Sequence, residues 1–106
     1  MKRIPLTIAM SDYDHMRDFR IGDVRAEGID PTFLTMEIHE VFSRFTYNRE
    51  WDVSELSFAK FIAQVTREEP DIIGLPVWTS RQFRFSSFYY NTKSGIKTAK
   101  DLAGKR

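Results

Sequence analysis

Two apolar stripes with helical spacing, each just behind a short strand-like run, constrain this chain more than any other feature. Ile38, Val41, Phe42 and Phe45 fall at i, i+3, i+4 and i+7, and so do Phe58, Phe61, Ile62 and Val65. Each set lines one face of an α-helix that has to be covered by something else. The first helix is expected to run from residue 36 or 37 to about residue 47, with Asn48 ending it. The second starts at Phe58 with Ser54 or Ser57 as its N-cap, and residues 66–69 close it before Pro70. Leu6-Thr7-Ile8-Ala9-Met10, Thr32-Phe33-Leu34-Thr35-Met36 and residues 51–56 have strand composition. The first of these runs into Ser11-Asp12-Tyr13-Asp14-His15-Met16-Arg17, a polar cluster suited to opening a short helix with Ser11 or Asp12 as cap. Residues 21–27 read as loop, and Gly28-Ile29-Asp30-Pro31 as a turn.

Farther on, Ile72-Ile73-Gly74-Leu75 reads as a strand buried on both faces that stops at Pro76, and residues 85–91 as a second strand-like run. Strands that alternate with helices predict an α/β fold with a mostly parallel open sheet flanked by helices. In such a sheet a ligand is received outside the carboxyl ends of the strands. Those ends are residues 11–17, 56–58 and 78–84. The last of them sets Arg81 and Arg84 among Trp78, Phe83 and Phe85. Two readings of the arginine pair stand side by side: guanidinium forks that grip the carboxylates of an anionic, aromatic ligand, or solvated side chains whose stems cover apolar surface. Ser57 likewise reads either as a helix cap or as part of an anion-receiving strand–turn–helix unit. Asp12, Asp14 and His15 lack the ligand spacing of a defined metal site and read more simply as a cap, a solvated carboxylate and a surface histidine. His39 is expected on the solvent side of its helix.

Composition narrows the function classes. With 106 residues the chain is one domain or less, and 16 Lys+Arg against 15 Asp+Glu leave no general electrostatic case for a nucleic-acid partner. The absence of cysteine excludes disulfides, thiolate nucleophiles and thiolate metal sites. The charged start Met1-Lys2-Arg3 is followed by an apolar run too short for a signal-peptide core or a membrane span, so the expected location is cytoplasmic. Toward the end, Gly95 marks a turn, Thr98 opens a short helical turn, and Lys105-Arg106 forms a basic tip. This tip looks ready to enter another strand, so the chain is expected to be the first part of a larger protein, with an open sheet edge suited to a missing second lobe or to a homo-oligomer.

The segment Gly95-Ile96-Lys97-Thr98-Ala99-Lys100-Asp101-Leu102-Ala103-Gly104-Lys105-Arg106 resembles the stretch of type 2 periplasmic-binding-protein folds that precedes a Val-Gly strand. More specifically, Ser11-Asp12-Tyr13-Asp14, Glu27-Gly28-Ile29-Asp30, Asp52-Val53-Ser54-Glu55-Leu56-Ser57 and Leu75-Pro76-Val77 with Ser80-Arg81-Gln82-Phe83-Arg84 resemble the 4,5-dihydroxyphthalate decarboxylase family over nearly the whole chain. The resemblance implies that residues 1–106 form the first lobe of a two-lobed fold that clamps a small aromatic or anionic ligand. It also implies decarboxylation of an aromatic dicarboxylate to protocatechuate with no organic cofactor. Arg81 and Arg84 would orient the carboxylates, and Asp12, Tyr13 and Asp14 would face the hydroxyl end or supply the proton, beside Ser57. The chain departs from the family pattern where Ser11 stands for a glycine, and where Phe85 follows Arg84 in place of a histidine that could transfer a proton. No catalytic acid is assigned. The alternative function on the same fold is a non-catalytic substrate-binding protein of the transporter type.

Overall fold

The computed structural model describes residues 2–105; Met1 of the charged start and Arg106 of the basic tip lie outside them. Three parallel strands form an open sheet in the order β2-β1-β3. The central strand β1, Ile4–Met10, pairs along its full length with β2, Ile29–Thr35, in a register that sets Ile8 beside Phe33 and Ala9 beside Leu34. On its other side β1 meets β3, Val53–Ser54. Only the second half of β1 is buried, at Ile8, Ala9 and Met10, because only there is it covered from both sides. Pro5 lies in β1 before the pairing with β3 begins, and Pro31 lies in the edge strand β2, two places where a missing N–H is tolerated.

Side chains alternate across a strand, so Ala9 and Leu34 share one face while Ile8 and Phe33 share the other. Helix α2, Ile38–Asn48, covers the first face: Ala9, Val41, Phe45 and Trp51 form the buried core, with Leu34, Met36, Phe42, Leu56 and Ile72 packed around it. The opposite face is covered by α1, Arg17–Ile21, whose Phe19 ring meets Phe33 edge-on with centroids 4.9 Å apart. The expected helix stripe thus buries Val41 and Phe45, and His39 faces solvent as expected. Glu37 caps α2 by accepting the amides of His39 at 2.7 Å and Glu40 at 3.3 Å. Asn48 is the last helical residue, and the chain leaves through Arg49, a non-glycine residue with φ of 50°. The Arg49 guanidinium explains why this left-handed residue is kept. It donates to the helix-end carbonyls of Phe45 at 2.6 Å and Thr46 at 3.0 Å, to Gln64 Oε1 at 2.6 Å, and to both oxygens of Asp71.

Several expectations are corrected. Asp30 and Pro31 belong to β2, and the turn is confined to Glu27-Gly28, where Gly28 takes φ of 80°. Neither Ser11 nor Asp12 caps a helix: the chain passes through a 3-10 turn, Asp14–Met16, whose capping position is Tyr13, before entering α1. The strand expected over residues 51–56 shortens to Val53–Ser54, although Asp52 N–H to Thr7 O at 3.1 Å and Glu55 N–H to Ala9 O at 2.9 Å continue the pairing at both ends. Helix α3, Phe58–Val65, begins as expected, but Ser57 occupies the cap position without a side-chain bond, and Ser54 donates to Glu55 O instead.

The largest correction concerns residues 67–105, which hold no strand. Around the expected strand at 72–75, Pro70 and Pro76 lack the N–H a ladder needs, the Gly74 backbone lies against the Phe61 ring, and Val77 N–H closes a three-residue turn on Leu75 O at 2.7 Å. The run at 85–91 opens with a 3-10 turn, Phe85–Ser87, and its rings stand in solvent, Phe85 at 84% and Tyr89 at 90% exposure. With nothing to pack on, an apolar run has no reason to take a strand's period. The radius of gyration, 18.6 Å, lies well above the ~13 Å of a compact chain of this length, reflecting this outlying segment.

Candidate functional site

The strand ends meet at one carboxylate, Glu55. β3 has just ended, and the Glu55 backbone is held on β1 by its bond to Ala9. Its side chain reaches back across the end of the sheet. Oε2 accepts the backbone N–H of Ser11 at 3.2 Å, while Oε1 accepts the Tyr13 hydroxyl at 2.5 Å and the Thr79 hydroxyl at 2.8 Å. Ser11 also donates its hydroxyl to Met36 O at 3.4 Å, which ties the end of β1 to the chain beyond β2. A parallel sheet turns all its strand ends the same way, so a carboxylate at the end of β3 lies within reach of the loop after β1. The loop at 77–84 is seated by apolar contact as well, because the Trp78 ring meets Phe58 at 5.5 Å and Phe58 stacks on Phe61 at 6.2 Å. All three segments expected to converge therefore do so, through Tyr13, Glu55 to Phe58, and Trp78 to Ser80.

The hydrogen-bond pattern sets the protonation of the cluster. Tyr13 is partly withdrawn from water and faces the Glu55 carboxylate; first burial and then Glu55 push its hydroxyl from 10.0 up to about 12, against a smaller opposing pull from the Ser80 and Ser11 side chains. Tyr13 is therefore a firm O–H donor at neutral pH, with its proton directed at Glu55.

The other expected site residues are placed differently. Asp12 points outward and pairs with Arg20 at 2.7 Å, where its side chain is 71% exposed. Asp14 opens the 3-10 turn in solvent, and the exposed His15 lies against the Tyr13 ring with centroids 5.5 Å apart. Ser57 stands at the start of α3 with its hydroxyl unused as a cap, next to Phe58 and the aromatic seat of Trp78. Arg81 donates to Trp78 O at 3.4 Å, and both Arg81 and Arg84 are exposed on the outer part of their loop. The structure thus brings Tyr13 and the start of the Arg81 loop to one centre, while Asp12, Asp14, Arg81 and Arg84 are exposed to solvent. No group of three or more acidic or histidine side chains among the described residues is arranged to hold a metal ion. A shallow groove of about 320 Å³ lies elsewhere, between α1 and β2 and beside Arg3, Arg20 and Arg25; it is open, and it does not reach Glu55.

Sequence reasoning missed Glu55. Its signal was positional: it is the carboxylate at the carboxyl end of a parallel strand, two residues ahead of a helix cap.

No protein-family model matches the chain. It is 37% identical over 106 residues to a 4,5-dihydroxyphthalate decarboxylase of Comamonas testosteroni, a match that covers all of this chain and 32% of that protein. It is 34% identical to a 4,5-dihydroxyphthalate decarboxylase of Pseudomonas putida, covering all of this chain and 41% of that protein. The chain thus spans about a third to two-fifths of the length of the curated relatives it matches.

Proposed function

The chain is related along its whole length to 4,5-dihydroxyphthalate decarboxylases, and on that premise we propose that the protein containing it decarboxylates an aromatic dicarboxylate such as 4,5-dihydroxyphthalate, giving protocatechuate. The match of the whole chain to about a third to two-fifths of two relatives of that name carries the reading, and the meeting of the loop after β1, the end of β3 and the loop at 77–84 at Glu55 supports it. The finer fold belongs to the same proposal: residues 1–106 form most of one lobe of a type 2 periplasmic-binding-protein-like fold. The parallel order β2-β1-β3, with a helix on each face, fits such a lobe.

The chemistry needs little apparatus. A proton is added to the ring carbon that bears one carboxylate, the bond to that carboxylate breaks, its electron pair returns to the ring, and carbon dioxide leaves. The hydroxyl para to that carbon donates density to the intermediate cation. The part of these residues is to hold the diacid, and the proton that replaces the carboxylate is drawn from water. In this proposal Arg81 and Arg84 take the two carboxylates, since guanidinium forks match them and no acidic partner holds either arginine among the described residues. Asp12, Tyr13 and Asp14 line the hydroxyl end, and the Ser57 hydroxyl lies between. The Tyr13 proton is held by Glu55, so Tyr13 orients the ring and does not supply the proton.

Incubating the full-length protein with 4,5-dihydroxyphthalate, with carbon dioxide release and thermal shift followed in the same sample, tests the proposal. Release together with a shift is expected. A shift without release would replace the decarboxylase reading with that of a binding protein of the transporter type.

A further inference from the structure

We propose that Glu55 is the positioning residue of this site: by taking the Tyr13 and Thr79 hydroxyls on one oxygen and the Ser11 amide on the other, it sets the Arg81 loop where a dicarboxylate can be gripped. The proposal rests on the dicarboxylate reading for its ligand and on geometry for everything else.

Glu55 is fixed from below. Its backbone continues the pairing of β3 with β1, so its side chain starts from the most rigid part of the fold. The loop at 77–84, by contrast, has no helix or strand of its own. The Trp78–Phe58 contact, an edge-on ring pair with centroids 5.5 Å apart, seats it at one point only. Orientation comes from the hydroxyls. Thr79 donates to Glu55 Oε1, and the Tyr13 hydroxyl donates to the same Oε1. Arg81 is two residues beyond Thr79, so its starting point follows from those bonds. The three donors come from 44, 42 and 24 residues away along the chain, and one carboxylate therefore fastens segments that nothing local would align.

The type of residue matters as much as its place. An ionised carboxylate only accepts, so it satisfies three donors without rearrangement and leaves about one acceptor position open. Glutamine in the same rotamer keeps Oε1 for the two hydroxyls but turns an NH₂ group toward the Ser11 N–H, so one tie is lost. Alanine loses all three. The expected effect is therefore graded.

The test uses the full-length protein, with phthalate as a non-reacting dicarboxylate measured by calorimetry and 4,5-dihydroxyphthalate measured by turnover. Phthalate should bind about tenfold more weakly to Glu55→Gln and far more weakly to Glu55→Ala, since each bond to a charged group counts for roughly that factor. In turnover, KM should rise by more than kcat falls. Mere loss of folded protein would lower apparent kcat and leave KM alone. Thr79→Val keeps Glu55 and removes one donor, so it serves if Glu55→Ala does not fold, and it too should weaken phthalate binding several-fold. Unchanged phthalate affinity in Thr79→Val and in the folded Glu55 variants would overturn the proposal, as would a loss of kcat at constant KM in variants whose folded fraction, by circular dichroism, equals that of the wild type. A graded loss of phthalate affinity in a protein that releases no carbon dioxide would uphold Glu55 and overturn the decarboxylase reading alone. Failure of the wild-type protein to bind either diacid would overturn both.

Discussion

At neutral pH the Tyr13 hydroxyl keeps its proton and spends it on Glu55. The consequence can be measured without any ligand. Absorbance at alkaline pH, compared between wild type and Tyr13→Phe, should show Tyr13 ionising near pH 12 and not near 10. A folded-state value above the unfolded one stabilises the protonated form. That contribution to stability is therefore complete below pH 10 and lost as the pH rises toward 12. Glu55→Gln should move the Tyr13 transition back toward 10, because the negative charge facing the phenol is gone. Removing the hydroxyl in Tyr13→Phe should cost about 1 kcal/mol, since Glu55 retains two other donors. Of this cluster the sequence showed Tyr13 and the loop carrying Thr79, but not the residue between them. A single glutamate in a short strand has no pattern around it, and its importance comes from donors many residues away. For Asp12 and Asp14 the position after β1 was legible, but not the Asp12–Arg20 pairing or the way Tyr13 takes the capping position of the 3-10 turn.

Among the elements, α2 was the most legible, because its stripe at helical spacing is long enough to choose between periods and because Val41 and Phe45 bury what the pattern promised. Phe45→Ala should lower stability by about 3–5 kcal/mol in a urea titration, as for other large-to-small core changes. Its far end was less legible. A helix was expected to stop at Asn48, yet the stop is made by Arg49, whose left-handed backbone is bound up with a guanidinium network no local rule describes. Gln64 is buried at 2% exposure and depends on that network for its Oε1 partner. Arg49→Ala should therefore cost about 2–3 kcal/mol, through the unsatisfied Gln64 and the uncapped helix end. Arg49→Gly loses the same bonds but relieves the positive φ, so it should be more stable than Arg49→Ala by about 1 kcal/mol. The reverse order in thermal melts would mean that the left-handed conformation is not what ends α2.

For the whole molecule, the α/β class and the parallel sheet were legible from alternation alone, because each strand-like run is followed by a helix that must lie across the sheet. The segment at 67–105 was not. Its apolar runs look like strands in composition, but a strand is made by its neighbours, and here the run at 72–75, bracketed by Pro70 and Pro76, pairs with no strand while the rings at 83–90 find nothing to cover them. Hydrogen exchange on the 106-residue chain should accordingly protect the amides of β1 and α2 and leave those of 81–105 fast. Slow exchange across 85–91 would mean that the run pairs as a strand after all. The function proposed for the molecule depends on a proton taking the place of a carboxylate on an aromatic ring. The most direct measurement is turnover of 4,5-dihydroxyphthalate by the full-length protein in heavy water, with the product followed by proton and carbon magnetic resonance. The account predicts 3,4-dihydroxybenzoate carrying one deuterium at the carbon that lost its carboxylate, formed in step with carbon dioxide. Recovery of the diacid unchanged, bound or free, would contradict it.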